Sequence, residues 1–250
     1  MKKLLRFGYV ILGNLYRAWM IPVMDYYARH PEKYSEKFRY EYDQHVIRLM
    51  NHTGRIHTTA YGKENIPDSE NEYVMFANHQ GKYDALGIML SHEKPCSVVM
   101  DDARSHGPLV RQFIDLVQGK RLKLDDLRQA AGIINEIAKE VKQGRKFIIF
   151  PSGGYEHRNQ NRVDAFKPGC FKSAMKAKAP IVPVALVDSW KVFDLWSLRK
   201  IETKVVYLKP MYYEEYKELN SKTICQIVYN RICKAVQYME NGNEKEALLQ

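Results

Sequence analysis

Residues 76–84 read FANHQGKYD, an apolar approach followed by Asn78-His79 and, five positions after the histidine, Asp84. An imidazole with an ordinary pKa of about 6.5 can take up a proton at neutral pH. A carboxylate on its other nitrogen would fix the tautomer and stabilise the imidazolium. On a regular helix five positions leave two side chains on different faces, because neighbours there lie three or four apart. The pair can therefore meet only if the backbone turns between them, and Gly81 offers such a turn. The bland reading of the same residues is a loop histidine and an aspartate that caps a helix over ALGIML.

Placing such a pair takes a scaffold, and the chain shows one. RIHTTAYG (55–62), EYVMFA (72–77), SVVM (97–100), KFIIF (146–150), IVPVALV (181–187) and TKVVYL (203–208) read as short strands. Pro67-Asp68 marks a turn between the first two. Leu127, Ala130, Ala131, Ile134, Ile137, Ala138 and Val141 form one stripe of a helix over 125–143, with Gly144 at its stop. Strands alternating with helices predict an α/β fold with a mixed, largely parallel sheet covered by helices. Ligands gather at the carboxyl ends of strands in such sheets. EYVMFA delivers Asn78-His79 to that edge, and KFIIF delivers Pro151-Ser152-Gly153-Gly154.

Ahead of these strands, residues 4–24 read LLRFGYVILGNLYRAWMIPVM. The length would span a bilayer, but Arg6, Asn14, Arg17 and Pro22 interrupt it. One arginine near a membrane centre costs roughly 3 kcal/mol. Aromatic and basic residues mixed with Leu, Ile and Val suit a helix lying in the membrane interface, and no small-residue cleavage site follows. Phe38, Tyr42, Val46 and Leu49 give a second amphipathic helix. The expected organisation is a membrane-associated helical segment over 1–52 and a catalytic domain over 53–250.

The 250 residues carry 39 Lys+Arg against 29 Asp+Glu, a net charge of +10, and the sequence pI is about 9.3. That surface favours anionic partners such as acidic lipid, phosphorylated substrates or an acidic carrier. Nucleic acid is not expected, since no helix-turn-helix, RNP or zinc signature is present. Cys96, Cys170, Cys225 and Cys233 show neither CxxC pairing nor metal-ligand spacing. They read as buried or incidental thiols in a reducing compartment, and no metal site is expected.

Several blocks in order resemble the glycerophospholipid acyltransferases, especially the 1-acylglycerol-3-phosphate acyltransferases. Asn78-His79 through Asp84 is similar to that family's Asn-His-x4-Asp block, and YGKENIP (61–67) to its lead-in. Phe150-Pro151-Ser152-Gly153-Gly154-Tyr155 stands where the family has Phe-Pro-Glu-Gly-Thr-Arg. FKPG (166–169) and PIVPVAL (180–186) resemble two later segments, while the second block survives best at Arg121. The resemblance covers roughly residues 61–187 and implies acyl transfer from an acyl thioester to the free hydroxyl of a lysophospholipid. The implied donor is acyl-CoA or acyl carrier protein, with no other cofactor, at the cytoplasmic face of a membrane. His79 is then the general base and Asp84 its orienting partner. With no Gly-x-Ser-x-Gly elbow, the acceptor hydroxyl is itself the nucleophile.

A phosphate-bearing acceptor calls for a guanidinium and backbone N–H donors. Arg121 and Gly153-Gly154 are the candidates, with Asn78 and Ser152 beside them, Arg158 as a substitute for the family's arginine, and Lys167 facing donor phosphates. The alternative for Arg121 is a solvated residue in the basic run 120–123, and for Lys167 plain solvent exposure. The chain departs most from the family at Ser152 and Tyr155. A neutral serine holds no cation by charge, and a tyrosine cannot pair with phosphate as a guanidinium does.

Overall fold

The computed structural model describes residues 5–67, 72–155 and 160–250. Asp68 of the expected turn, together with His157 and Arg158, lies outside the described residues. Strands β1 (Ile56–Tyr61), β2 (Val74–Ala77), β3 (Ser97–Asp101), β4 (Lys120–Leu122), β5 (Phe147–Ile149), β6 (Ile181–Val187) and β7 (Ile201–Tyr207) form one sheet. Their order is β1-β7-β6-β2-β5-β3-β4. Pairing is parallel throughout except between β6 and β7. The mixed, largely parallel sheet expected from the alternation of elements is therefore the one that forms. Strand β4 adds to it: residues 120–122 are not a solvated run but an edge strand, with Arg121 opposite Met100.

Each face of the sheet is covered. Helices α1 (Leu5–Gly13), α2 (Met20–Arg29), α3 (Glu36–Gly54), α4 (Asp84–Ser91) and α5 (Val110–Leu116) build one layer. Helix α6 (Leu127–Val141) and α7 (Lys172–Ala177) lie in the other. Short α8 (Lys191–Asp194) and α9 (Tyr213–Tyr216) follow, then long α10 (Ser221–Glu240), which joins the α6–α7 layer, and α11 (Glu244–Leu248). The period-2 alternation of strands sorts the core. Val74 and Phe76 of β2 pack with Phe147, Phe171 and Val228, whereas Met75 and Ala77 pack with Ile47, Met89 and Ile148. Burial on both faces is why these strands read as unbroken apolar runs.

Two helical faces differ from their apolar stripes. In α6, Ile134, Ile137, Ala138 and Val141 are buried as expected, but Leu127 is 85% exposed and Ala131 is exposed as well. In α3 the buried face is Tyr40, Asp43, Gln44, Ile47 and Asn51, while Phe38 is exposed. Two of these polar side chains meet carbonyls at the end of α4. Tyr40 Oη and Gln44 Nε2 both donate to Met89 O and His92 O, over 2.8–3.0 Å.

His92 sits inside this polar layer. Tyr73 Oη lies 2.6 Å from its Nε2 and Lys94 O 2.6 Å from its Nδ1. Burial pushes its pKa down to about 4. The neutral ring is thus favoured in the fold, so the stabilisation is complete above the ordinary pKa of about 6.5 and is lost as pH falls toward 4. A shift of that size corresponds to about 3 kcal/mol. Stability should fall over pH 6.5 to 4, and His92→Gln should flatten that limb, as read by chemical denaturation at several pH values.

The N-terminal segment is not one helix. It breaks at a 3₁₀ turn over Leu15–Arg17, and α1 and α2 dock onto α3 and α5. Arg6 is buried, and its guanidinium donates to the carbonyls of Gly54, Ser197 and Arg199. Val10, Met20 and Met24 are also buried. Removing residues 1–24 would open the core rather than leave an intact domain. The outward side presents Tyr9, Leu12, Leu15, Tyr16 and Trp19 to solvent. No helix among the described residues is long and apolar enough to cross a membrane.

Candidate active site

The carboxyl ends of β2, β5 and β6 lie side by side, and the chain leaves each through a polar loop. After β2 the backbone turns back at residues 81–84, with Asp84 N donating to Gly81 O at 3.3 Å. Gly81 is not in the left-handed region, so the turn does not depend on glycine's conformational freedom. Asp84 is the first residue of α4 but does not cap it. Its Oδ2 accepts instead from the loop that precedes it, from Gln80 N at 2.5 Å and Gly81 N at 2.9 Å.

The same oxygen lies 2.6 Å from His79 Nδ1. A carboxylate only accepts, so the proton sits on Nδ1 and Nε2 carries the free lone pair. Asp84 is fully buried, while the His79 side chain is 20% exposed. The carboxylate thus stays in place while the imidazole reaches the surface. The ring lies between aromatic neighbours: Phe150 stacks on it at a centroid distance of 4.4 Å, and Tyr155 meets it edge-on at 4.6 Å. Burial, with Asp194 and Asp84 nearby, pushes the Tyr155 phenol up to about 12. It stays protonated at working pH and does not compete with His79 as a base.

Around the pair, the 151–155 loop and the 166–169 segment close together. Lys167 N donates to Pro151 O at 2.9 Å. Gly153 has φ +75°, and a Cβ there would stand 3.2 Å from both Lys167 Nζ and Leu124 Cδ2. The left-handed backbone at 153 is what favours glycine there. Its N–H is used by Phe150 O at 3.0 Å, so of the two glycines only Gly154, with open space around it, is left for a ligand. Ser152 Oγ donates to Gly154 O at 2.6 Å, which closes its own loop and leaves only lone pairs to offer.

Asn78 and Arg121 differ from expectation. Asn78 does not reach the substrate side. It is fully buried, donates to Leu186 O at 3.0 Å and accepts from Leu186 N at 2.7 Å, pinning the end of β2 to β6. Successive residues on an extended chain point opposite ways, so His79 turns toward solvent while Asn78 turns inward. Arg121 is held by Ser105 Oγ at 2.9 Å and Asp115 Oδ1 at 2.7 Å, neither from the loops around His79. It lines a separate cavity of about 320 Å³ with Asp25, Arg29 and Arg111. The strand β4 and the Asp115 carboxylate fix its guanidinium there.

Two site residues escaped the sequence reading. Ser189 Oγ lies 2.5 Å from Asp84 Oδ1 and 2.9 Å from Gln80 Oε1, and Gln80 Nε2 donates to Leu186 O at 2.9 Å. Ser189 stands two residues past the end of β6, the strand beside β2. The strand-end rule that singled out the loops after β2 and β5 applies equally to this third loop. Together the four groups on Asp84 hold an oriented imidazole–carboxylate pair whose ring is partly exposed, able to remove a proton from a hydroxyl.

A protein-family model described as Acyltransferase matches residues 57–187. The chain is 25% identical over 182 residues to a chloroplastic 1-acyl-sn-glycerol-3-phosphate acyltransferase of Brassica napus, covering 72% of this chain and 51% of that protein. It is 27% identical over 146 residues to the 1-acyl-sn-glycerol-3-phosphate acyltransferase of Saccharomyces cerevisiae, covering 58% and 46%. The chain thus spans about half the length of these two relatives. The fold superposes on the crystal structure of the 1-acyl-sn-glycerophosphate acyltransferase PlsC from Thermotoga maritima with a TM-score of 0.74, at 18% identity, over 96% of this chain and 98% of that one. The matched residues 57–187 make up slightly more than half of the chain and contain the His79–Asp84 pair with the loops around it, and the chain belongs to the acyltransferase family.

Proposed function

We propose that this protein transfers an acyl group from acyl-CoA or acyl carrier protein to the free hydroxyl of a lysophospholipid, with 1-acylglycerol-3-phosphate as acceptor and phosphatidic acid as product. The observation that carries the reading is the His79–Asp84 bond of 2.6 Å, with the carboxylate buried and the imidazole at the surface. His79 Nε2 takes the acceptor's proton as its oxygen attacks the thioester carbonyl. The C–O bond forms, the C–S bond breaks, and the proton passes to the departing thiolate. Asp84 holds the tautomer and stabilises the imidazolium between those steps.

The acceptor headgroup is where this chain departs from its family. Tyr155 packs on His79 where the family has an arginine, and Asp115 already neutralises Arg121. A charge-assisted phosphate contact is worth roughly 1.5–3 kcal/mol. Lysophosphatidic acid therefore leads on family grounds, and a lysolipid with a neutral or amino-acid headgroup is the rival favoured by Tyr155. A panel of lyso-acceptors with one labelled acyl donor separates them, run on wild type, Arg121→Ala, Ser152→Glu and Tyr155→Arg. If phosphate is read by Arg121, Arg121→Ala loses lysophosphatidic acid acylation selectively. If the headgroup is neutral, Tyr155→Arg raises lysophosphatidic acid use and lowers use of the wild-type acceptor. No acylation of any lysolipid by the folded wild type would contradict the reading.

The lipid acceptor reaches the site from a membrane surface bound by α1 and α2. Leu12 is 69% and Trp19 62% exposed on a basic protein, the mixture suited to a headgroup interface. Leu12→Glu combined with Trp19→Glu should weaken binding to anionic vesicles by at least roughly 10-fold. The melting temperature should hold, because neither side chain belongs to the core. Unchanged vesicle binding would remove these helices from the membrane contact.

A further inference from the structure

Helix α6 keeps its acids on one side. Glu136 and Glu140 both pair with Lys120, and Glu140 also with Arg145. Another stripe of the same helix runs through Arg128, Asn135, Lys139 and Lys142 at helical spacing, and all four are exposed. Asn135 Oδ1 accepts from Lys176 Nζ at 2.5 Å, which sets α7 alongside that stripe. Lys172 and Lys176 stand four apart on the exposed face of α7. Lys167, whose ammonium would meet a Cβ at Gly153, extends the stripe to the 151–155 loop beside His79. None of these six cations has a carboxylate partner among the described residues. Lys172 and Lys176, four apart on α7, are like charges that repel one another.

We infer that the α6–α7 face docks an acidic acyl carrier protein, which presents the acyl thioester to the carboxyl edge of the sheet beside His79. The inference rests on the acyltransferase reading above and selects between its two donors. Six cations without carboxylate partners, four on α6 and α7 and two just beyond their ends, match an extended acidic surface, whereas the few phosphates of a free acyl-CoA would engage only one or two of them. A membrane is the poorer fit. Interfacial anchoring draws on exposed aromatic residues, and α6 and α7 contain none, while Tyr9, Tyr16 and Trp19 crowd α1, α2 and the turn between them on the other side of the sheet. The exposed Leu124 and Leu127 offer an apolar contact within the basic field. On this view the sheet separates the two substrates: lipid arrives over the α1–α2 layer, the carrier over the α6–α7 layer, and they meet at the edge between.

The test uses the full chain with Arg128→Glu, Lys139→Glu and Lys172→Glu combined, all at exposed positions outside the site. Binding of a palmitoyl-loaded acyl carrier protein is titrated on the His79→Ala background, which blocks turnover, at low and high salt. KM is then measured for that donor and for palmitoyl-CoA with His79 intact. The expected result is salt-sensitive carrier binding, with Kd and carrier KM raised at least roughly 10-fold in the triple variant and palmitoyl-CoA KM moved by no more than about 2-fold. Carrier binding unaffected by the three reversals would overturn the inference. So would an equal loss with both donors, or a loss of anionic-vesicle binding with carrier binding intact. If the wild type transfers from neither donor yet binds the carrier through these residues, the acyltransfer reading fails and the docking face stands.

Discussion

Replacing His79 with alanine should lower kcat for acyl transfer by roughly 100- to 10,000-fold, the range lost with a positioned general base. The protein should remain folded, for a reason visible around Asp84. Removing the imidazole takes one donor from the carboxylate, but Gln80 N, Gly81 N and Ser189 Oγ remain within 2.5–2.9 Å of its two oxygens. The buried charge therefore stays satisfied, and the ring lost was partly exposed. Steady-state rates on protein checked by circular dichroism make the comparison, and wild-type turnover in folded His79→Ala would end the mechanism. The KM for the acceptor should move little, since the imidazole acts on the proton in flight.

Asp84 should separate charge from scaffold. In Asp84→Asn the amide oxygen can take over the contacts with Gln80 N, Gly81 N and His79 Nδ1. Its NH₂ then faces Ser189 Oγ, which can accept because its own proton has Gln80 Oε1 at 2.9 Å. The tautomer survives and the negative charge does not. Losing a charge-assisted bond of roughly 1.5–3 kcal/mol predicts a roughly 10- to 150-fold fall in kcat with a small change in melting temperature. Asp84→Ala differs in kind, because it strands buried donors on three residues and should destabilise the fold by about 3–5 kcal/mol. Thermal melts beside rates for both variants check this. Equal destabilisation by the two substitutions would show that the carboxylate is only structural.

The sheet was legible because its strands are buried on both faces, which leaves unbroken apolar runs such as VMFA and IVPVALV. Strand β4 was not. Its three residues sit at an edge, and Lys120 and Arg121 read as solvated because their partners Glu136, Glu140 and Asp115 are non-local or on another helix. The face of α3 differs for a related reason: several of its buried positions are polar and find their partners far along the chain, Tyr40 and Gln44 at carbonyls about 45–50 residues away and Asn51 at Tyr83 Oη. Within the site, spacing left His79 and Asp84 either a pair or a loop histidine and a helix cap, and the ordered blocks of the family resemblance favoured the pair. Asn78 could not be separated from its neighbour by type. Only the alternation of the extended chain sends one amide into the β2–β6 seam and the next ring toward solvent. Ser189 was hidden by distance along the chain, although its place just past β6 marked the same sheet edge.

The most direct test of direct attack by the acceptor hydroxyl is release of the donor's thiol, followed with and without lysophospholipid in a rapid-mixing experiment at enzyme concentrations comparable to donor. The account predicts no burst and no sustained thiol release until the acceptor is added, then one acylated lipid formed per thiol released. A stoichiometric burst without acceptor would reveal an acyl-enzyme. Continuous acceptor-independent release would make water the nucleophile and the protein a thioester hydrolase, and either result would contradict the role assigned to His79 and Asp84.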